Sequence, residues 1–262
     1  MTAARRRVDI SADMGESLGP WPMGQDEEIA PYLTSAHIAC GFHASDPATI
    51  RRTVELLRRH SVAIGAHPGY QDLIGFGRHK IDLTPQEVDD LVLYQVAAVR
   101  GMVEAFGGRL QHVKPHGALY NVAEVDEGAA GAIAAAVKRL DPHLAIVATP
   151  HSRLADRSRA AGLRVAREFF LDRAYMPDGM LASRRRPDAM LMDPEAMCRR
   201  AVAAVREGRI PAVDGTAVEV QVDTICLHGD HAPSRAAVRM LRGMLEAAGV
   251  EVAALGTWIA GA

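Results

Sequence analysis

The sequence predicts an α/β barrel of seven parallel strands. Three observations lead there. Short β-rich runs alternate with longer helical patterns, seven such runs fall within 262 residues, and polar titratable residues follow run after run. Repeated β-then-α units imply a parallel sheet. Seven strands in that length suit a closed or nearly closed barrel, with a doubly wound open sheet as the alternative architecture.

In chain order the strand candidates are Arg7–Ala12, His37–Gly41, Val62–Ala66, Gln111–Pro115, Leu144–Ala148, Leu163–Phe170 and Thr224–His228. Most are apolar and rich in Val or Ile, as for strands buried on both faces. The helices between them have readable ends. Asp46-Pro47 reads as an N-cap followed by Pro at the first helical position, with Ile50, Val54 and Leu57 on one face. Thr84-Pro-Gln-Glu87 has capping-box spacing, and Gly107-Gly108 stops the helix that follows. Asp193-Pro194-Glu195 opens another, which ends near Gly208. Pro233-Ser234 opens the last, which ends at Gly249. The least regular stretch, Asp172 to Pro187, reads as a long loop of the kind that often carries function. With no linker, composition break or fixed-period repeat, residues 1–262 read as one barrel domain.

Composition narrows the function classes. Thirty Lys and Arg against 32 Asp and Glu leave a formal charge of -2, so no global field draws the chain to nucleic acid or anionic membranes. Three scattered cysteines, Cys40, Cys198 and Cys226, fit a reducing cytoplasm. No apolar run approaches the roughly 18 residues of a membrane helix. The basic start Met1–Arg7 runs into Val8–Asp13 rather than an apolar signal core.

The chemistry concentrates after the strands. Asp13 and Glu16 follow the first, His43 and Asp46 the second, and His67 the third. Lys114, His116 and Tyr120 follow the fourth, Asp172, Arg173 and Tyr175 the sixth, and His228 and Asp230 the seventh. The carboxyl ends of parallel strands open onto one face, so these residues are expected to converge there. A single strand-end histidine is more often structural than catalytic; four of eleven at four strand ends point to a site. Asp13, His43 and His67 are candidate ligands of zinc or manganese. Asp13 and Glu16 have helix capping as the plainer role, and Asp46 reads as an N-cap. Cys40 and Cys226 read as core, and His60, His79, His143 and His231 receive no role. The Arg184–Arg186 run reads as a solvated loop, with contact to a phosphate or a partner as the alternative. Walker, G-x-G-x-x-G, H-E-x-x-H and G-x-S-x-G patterns are missing.

These stretches resemble the LamB/YcsF family. The matching segments are Asp13-Met-Gly-Glu16, Ser35-Ala-His-Ile-Ala-Cys-Gly-Phe-His43, Val62–Gly69, Gly75-Phe-Gly-Arg78, Leu93-Tyr-Gln95, His112–Asn121, Asp172-Arg-Ala-Tyr175 and Cys226-Leu-His-Gly-Asp230. They run in family order over nearly the whole chain. Three departures stand out: Ser11 where the family carries Asn, Ser45 where it carries Gly in His-Ala-Gly-Asp, and Leu181–Arg186 in place of a Val-Pro-Arg pattern. The resemblance implies a distorted seven-stranded barrel of the glycoside hydrolase/deacetylase kind. It implies ATP-coupled hydrolysis of 5-oxo-L-proline to L-glutamate, with two further subunits, B and C, and ATP bound through the complex. For the site it suggests Asp13, His43, His67 and His228 for activating water or holding a divalent metal, with Glu16 orienting a neighbour. His116, or His228 paired with Asp230, would move a proton to the ring nitrogen. Lys114, Tyr120, Asp172 and Arg173 would hold substrate. The rival readings are a stand-alone metal-dependent deacetylase or amidohydrolase and a non-catalytic substrate-binding subunit.

Overall fold

A computed structural model describes residues 6–259. The basic N-terminal stretch through Arg5, read above for a signal sequence, lies outside them. Eighteen elements follow in order: β1 (Arg7–Met14), α1 (Asp26–Ile29), β2 (Ser35–Ala39), α2 (Pro47–Arg59), β3 (Ala63–His67), α3 (Pro85–Ala105), β4 (Leu110–Val113), α4 (Gly117–Val125), α5 (Glu127–Leu140), β5 (Ala145–Ala148), α6 (Arg153–Ala160), β6 (Arg164–Phe170), α7 (Pro194–Glu207), β7 (Arg209–Pro211), β8 (Ala217–Glu219), β9 (Thr224–His228), α8 (Ala232–Ala247) and β10 (Glu251–Val252). Strands β1-β2-β3-β4-β5-β6-β9 pair in parallel in that order, and β9 returns to β1, which closes the barrel. All seven sequence-predicted strands are present, shifted at their ends by a few residues. Three short strands lacked a sequence signal. The hairpin β7–β8 lies outside the barrel, and β10 adds to the start of β1 through Arg7 and Glu251.

The helix ends follow the capping chemistry. The Asp46 side chain accepts from the backbone N–H of Ala48 and Thr49, and Thr84 and Glu87 form a reciprocal capping box. Gly208 ends α7 in the left-handed conformation (φ 70°). Valines 88, 92, 96, 99 and 103 of α3 are buried together against the barrel wall.

The strands differ from expectation in one consequential way. They are not apolar on both faces. In β1, Val8, Ile10, Ala12 and Met14 join the apolar layer under the helices, whereas Asp9, Ser11 and Asp13 alternate with them into the barrel. The same alternation brings in Ser35 and His37 from β2, His67 from β3, His112 from β4, Glu168 from β6, and Thr224 and Cys226 from β9. The core is therefore an apolar sleeve around a polar axis. Its lower layer is satisfied by hydroxyls: Asp9 accepts from Ser35 Oγ and Thr224 Oγ1, each at 2.6 Å, and from Thr34 Oγ1. Leu255, Trp258 and Ile259 pack on Val147 and Ala166 as a small apolar cluster near β5 and β6. At Gly65 a Cβ would sit 2.1 Å from His112 Nε2, so only glycine leaves room for that ring.

Ser45 carries a local cost. It sits at φ 78°, in the region that favours glycine, and its buried Oγ has no hydrogen-bond partner. Left-handed geometry costs a non-glycine residue about 1–2 kcal/mol. Glycine loses about 0.5–1 kcal/mol more chain entropy on folding. Ser45→Gly is therefore expected to stabilise the fold by about 0.5–1 kcal/mol. Urea denaturation checks this; an unchanged or lower midpoint contradicts it.

Candidate active site

The carboxyl ends of β1, β3, β4, β6 and β9 border one cavity of about 590 Å3, a volume that suits a small ligand. Asp13 and Glu16 line it from the β1 end, His67 from β3, and Lys114, His116 and Tyr120 from the β4 end and α4. Arg173 lines it from the long loop, and His228 and Asp230 from the β9 end. Nine of the eleven residues given a role in activating water, holding a metal, orienting a neighbour, moving a proton or holding substrate thus line one cavity. The other two stand behind it. His43 stacks flat on His116, ring centroids 3.7 Å apart. Asp172 is fully buried and pairs its Oδ2 with His228 Nδ1 at 2.7 Å, so it orients His228 and does not face a ligand. His228 is therefore partnered by Asp172, while Asp230 lies exposed at the rim. Asp46, the N-cap, takes no part.

At the base of the cavity Lys114 is almost fully buried. Its Nζ lies 2.9 Å from Asp13 Oδ1, 2.8 Å from Glu168 Oε1 and 3.1 Å from Cys226 Sγ. Burial alone would weaken the Lys114 charge, but Asp13, Cys226 and Glu168 outweigh it and hold its pKa well above the ordinary lysine value. Burial likewise pushes the Asp13 carboxyl up, and His67 and Lys114 more than reverse that, so Asp13 is held well below the usual carboxylate range. Tyr120 donates its hydroxyl to Glu168 Oε2 at 2.7 Å. Lys114 and Tyr120 are thus occupied within the protein, which limits what either can offer a substrate.

Above this base, three histidines and Glu16 form the second feature. His67 donates Nδ1–H to the Lys114 carbonyl (2.7 Å), and His116 donates Nε2–H to the Phe76 carbonyl (2.8 Å). Phe76 holds that carbonyl in place at φ 54°, a strained conformation of the sort found at functional sites. The remaining nitrogens, His67 Nε2 and His116 Nδ1, then face each other at 3.0 Å. With both rings neutral these would be two opposed lone pairs. A proton or a cation must lie between them. Asp13 Oδ2 is 3.3 Å from His67 Nε2, and Glu16 Oε1 is 3.9 Å from both His43 Nε2 and His116 Nδ1. Neither ring nitrogen of His43 has a hydrogen-bond partner.

One donor atom each from Glu16, His43, His67 and His116 falls within 4.8 Å of the others, and imidazole with carboxylate suits zinc-like ions. This set fits a divalent metal. It differs from the Asp13, His43 and His67 set expected from the sequence, because Lys114 engages Asp13 while Glu16 and His116 complete the cluster. A second group, Asp13, His37 and Cys226, lies deeper. Burial lowers the pKa of His43 and His116 well below the usual histidine value. Burial, then Asp13 and Asp230, raises Glu16 well above the carboxylate range. Asp13 and Glu16 are therefore driven apart, the pattern of a base beside an acid.

Sequence reasoning missed several lining or supporting residues. Glu168, His37, His112 and Cys226 sit on inward-facing strand positions, which the period-2 alternation could have revealed. Arg78 and Glu124 line the cavity from a loop and α4, and no pattern marks them; Arg184 and Arg185, of the run read as a solvated loop, are exposed and also line it. Gln95 of α3 grips Gly69 through both backbone groups (3.0 and 2.9 Å) and so fixes the loop behind His67.

Comparison with known proteins accords with this geometry. Residues 8–260 match the LamB/YcsF family. The chain belongs to that family. Among its relatives is a protein of Methylococcus capsulatus named as the A subunit of 5-oxoprolinase, 50% identical over 98% of this chain and 99% of that one. A Pyrococcus abyssi protein of the same name is 46% identical over 97% and 99%. The crystal structure of a lactam utilization protein from Thermus thermophilus superposes with a TM-score of 0.89, at 48% identity, covering 95% of this chain and 99% of that one. An uncharacterized protein from Agrobacterium tumefaciens C58, at 12% identity and a TM-score of 0.57 over 98% and 90%, shares the fold alone. No helix among the described residues is long and apolar enough to cross a membrane.

Because Lys114 offsets two buried carboxylates, Lys114→Met should be severely destabilising. Removing one partner of a buried ion pair costs about 3–5 kcal/mol. Chemical denaturation checks this. A loss under about 1 kcal/mol, of the order of an exposed pair, contradicts the arrangement.

Proposed function

We propose that this chain is the ring-opening subunit of an ATP-dependent 5-oxoprolinase, a hydrolase acting on the cyclic amide of 5-oxo-L-proline. The observation that carries this reading is the near-complete alignment with relatives named as the A subunit of 5-oxoprolinase, on a fold whose strand ends gather acids, histidines and arginines into one cavity. Subunits B and C are its partners, they bind the ATP, and the complex works in the cytoplasm.

The chemistry explains the coupling. Resonance makes a lactam carbonyl a poor electrophile. Transfer of a phosphoryl group to its oxygen, in the partner subunits, removes that resonance. Water then adds to the activated carbon in this cavity, and its proton passes to the Asp13 carboxylate. The carbon–nitrogen bond breaks as the ring nitrogen takes a proton from the Glu16 carboxyl, and the added hydroxyl gives its proton to the resulting Glu16 carboxylate as the acyl C=O forms. A second water releases phosphate from the resulting acyl phosphate and leaves glutamate. His228, oriented by Asp172, faces the same space and positions substrate. A divalent cation held by Glu16, His43, His67 and His116 would supply a water of lowered pKa. That cation and the Glu16 proton exclude each other. The His–Glu cluster also favours a second reading, an ATP-independent metal-dependent amidohydrolase.

Reconstitution with subunits B and C tests the proposal. Glutamate release from 5-oxoproline should require ATP. Asp13→Asn should slow it by about 10²–10⁴, the range for a proton-transfer residue. Glutamate formed by this chain alone without ATP, or near-normal turnover of Asp13→Asn, overturns it. Metal analysis of the purified chain assigns the cluster: a stoichiometric divalent metal gives it to a cation, and a metal-free chain that is active in the complex gives it to a proton.

A further inference from the structure

The long loop and the β3 loop bring three guanidinium groups to the same cavity: Arg78, Arg173 and Arg184. Many arginines elsewhere pair with carboxylates, and others, such as Arg58 and Arg200, cap backbone carbonyls. Arg167, Arg186 and Arg239 pair with Asp223, Asp188 and Glu28 at 2.7, 2.7 and 3.0 Å. Among the described residues no such ion pair forms at Arg78, Arg173 or Arg184. Arg78 lies over the Phe76 ring at 4.9 Å. Arg184 Nη2 contacts His228 Nε2 at 3.2 Å. Arg173 donates Nη2 to the Ala182 carbonyl; the residue is only 8% exposed, and its Nε has no hydrogen-bond partner. A buried, always-charged donor without an acceptor is expensive unless a ligand completes it. The three charges also press on one another. Burial and then Arg184 lower both Arg78 and Arg173, the latter to about 10.

We propose that Arg78, Arg173 and Arg184 form a subsite for a phosphoryl group carried into the cavity on the substrate. A carboxylate has two oxygens and one charge, so it can neither reach three guanidinium forks nor balance them. A phosphoryl group has three terminal oxygens and up to two charges, and arginine forks match it in shape. Asp230 and Glu16 soften the field near Arg78 but stay beyond ion-pair distance. The inference rests on the ring-opening reading above and names the form of substrate taken: the phosphorylated lactam, the acyl phosphate after opening, then inorganic phosphate. Since the subsite includes Arg184 at the cavity mouth and buried Arg173, the leaving phosphate has a path outward.

Calorimetric titration of the full chain with inorganic phosphate tests this without the partner subunits. At fixed ionic strength, phosphate should bind saturably. Arg184→Gln and Arg78→Gln should each weaken binding by about tenfold to a hundredfold, the range for a hydrogen bond between charged groups. 5-Oxoproline and L-glutamate, whose only anionic groups are carboxylates, should bind less tightly than phosphate and lose less in both variants. Thermal melting of each variant confirms folding. The subsite is overturned if phosphate does not bind, if both variants bind it as tightly as the parent, or if the carboxylate probes show the same affinity and the same losses. In that event ATP-dependent glutamate release by the reconstituted complex still stands or falls separately, since it is read with the parent chain.

Discussion

The structure depends on one buried contact: the Lys114 ammonium between Asp13 and Glu168 on the barrel axis. An ionised carboxylate taken alone out of water is prohibitively unfavourable. Two of them fit inside this barrel because a cation lies 2.9 and 2.8 Å from them and Tyr120 donates a further hydrogen bond to Glu168. That arrangement supplies little net stability, since buried ion pairs roughly offset their own desolvation. What it supplies is position. Asp13 is fixed, charged, beneath His67, and the histidine layer is built on that charge.

The apolar sleeve makes the polar axis tolerable. Alternate strand residues bury Val, Ile, Leu and Met against the helices, which carries the folding free energy. The inward positions are thereby released from packing duty. The lower inward layer, around Asp9, is closed by hydroxyl hydrogen bonds. The upper layer is left incomplete. Opposed histidine nitrogens, a partnerless His43 and a partnerless Arg173 Nε all border or back the cavity. Unmet polar groups concentrated at one end of a barrel are the signature of a place that a ligand, proton or ion finishes.

Much of this was legible in the sequence. The seven strands, the capped ends of α2, α3 and α7, and the convergence of Asp13, Glu16, His67, Lys114, His116 and His228 all follow from β-then-α punctuation and strand-end position. The two-sided apolar reading of the strands failed because Val and Ile dominate by count. Asp9, Ser11 and Asp13 alternate with them in β1, and that alternation was the missed signal for Glu168, His37 and Cys226 as well. The pairing of His228 with Asp172 and not Asp230 was beyond reach. Both acids flank strand ends, and only the parallel pairing of β6 with β9 selects one. Arg78 stands in a family-matching stretch and Arg184 in a departure from one, yet nothing local distinguishes an arginine aimed into a cavity from one in solvent. Tyr120 and Lys114 were placed correctly and read as substrate-holding, whereas each is bound to Glu168.

The charge state of Lys114 is the most direct check. Nitrogen-15 NMR of the lysine side-chain amino groups, assigned by comparison with Lys114→Arg, reads that state across pH. The ammonium signal of Lys114 should persist beyond pH 10.5, the ordinary lysine midpoint. A neutral Lys114 amine at about pH 8, more than two units below the ordinary lysine midpoint, would mean that the carboxylates on the barrel axis are not held as ions, and the histidine layer above them would lose its foundation.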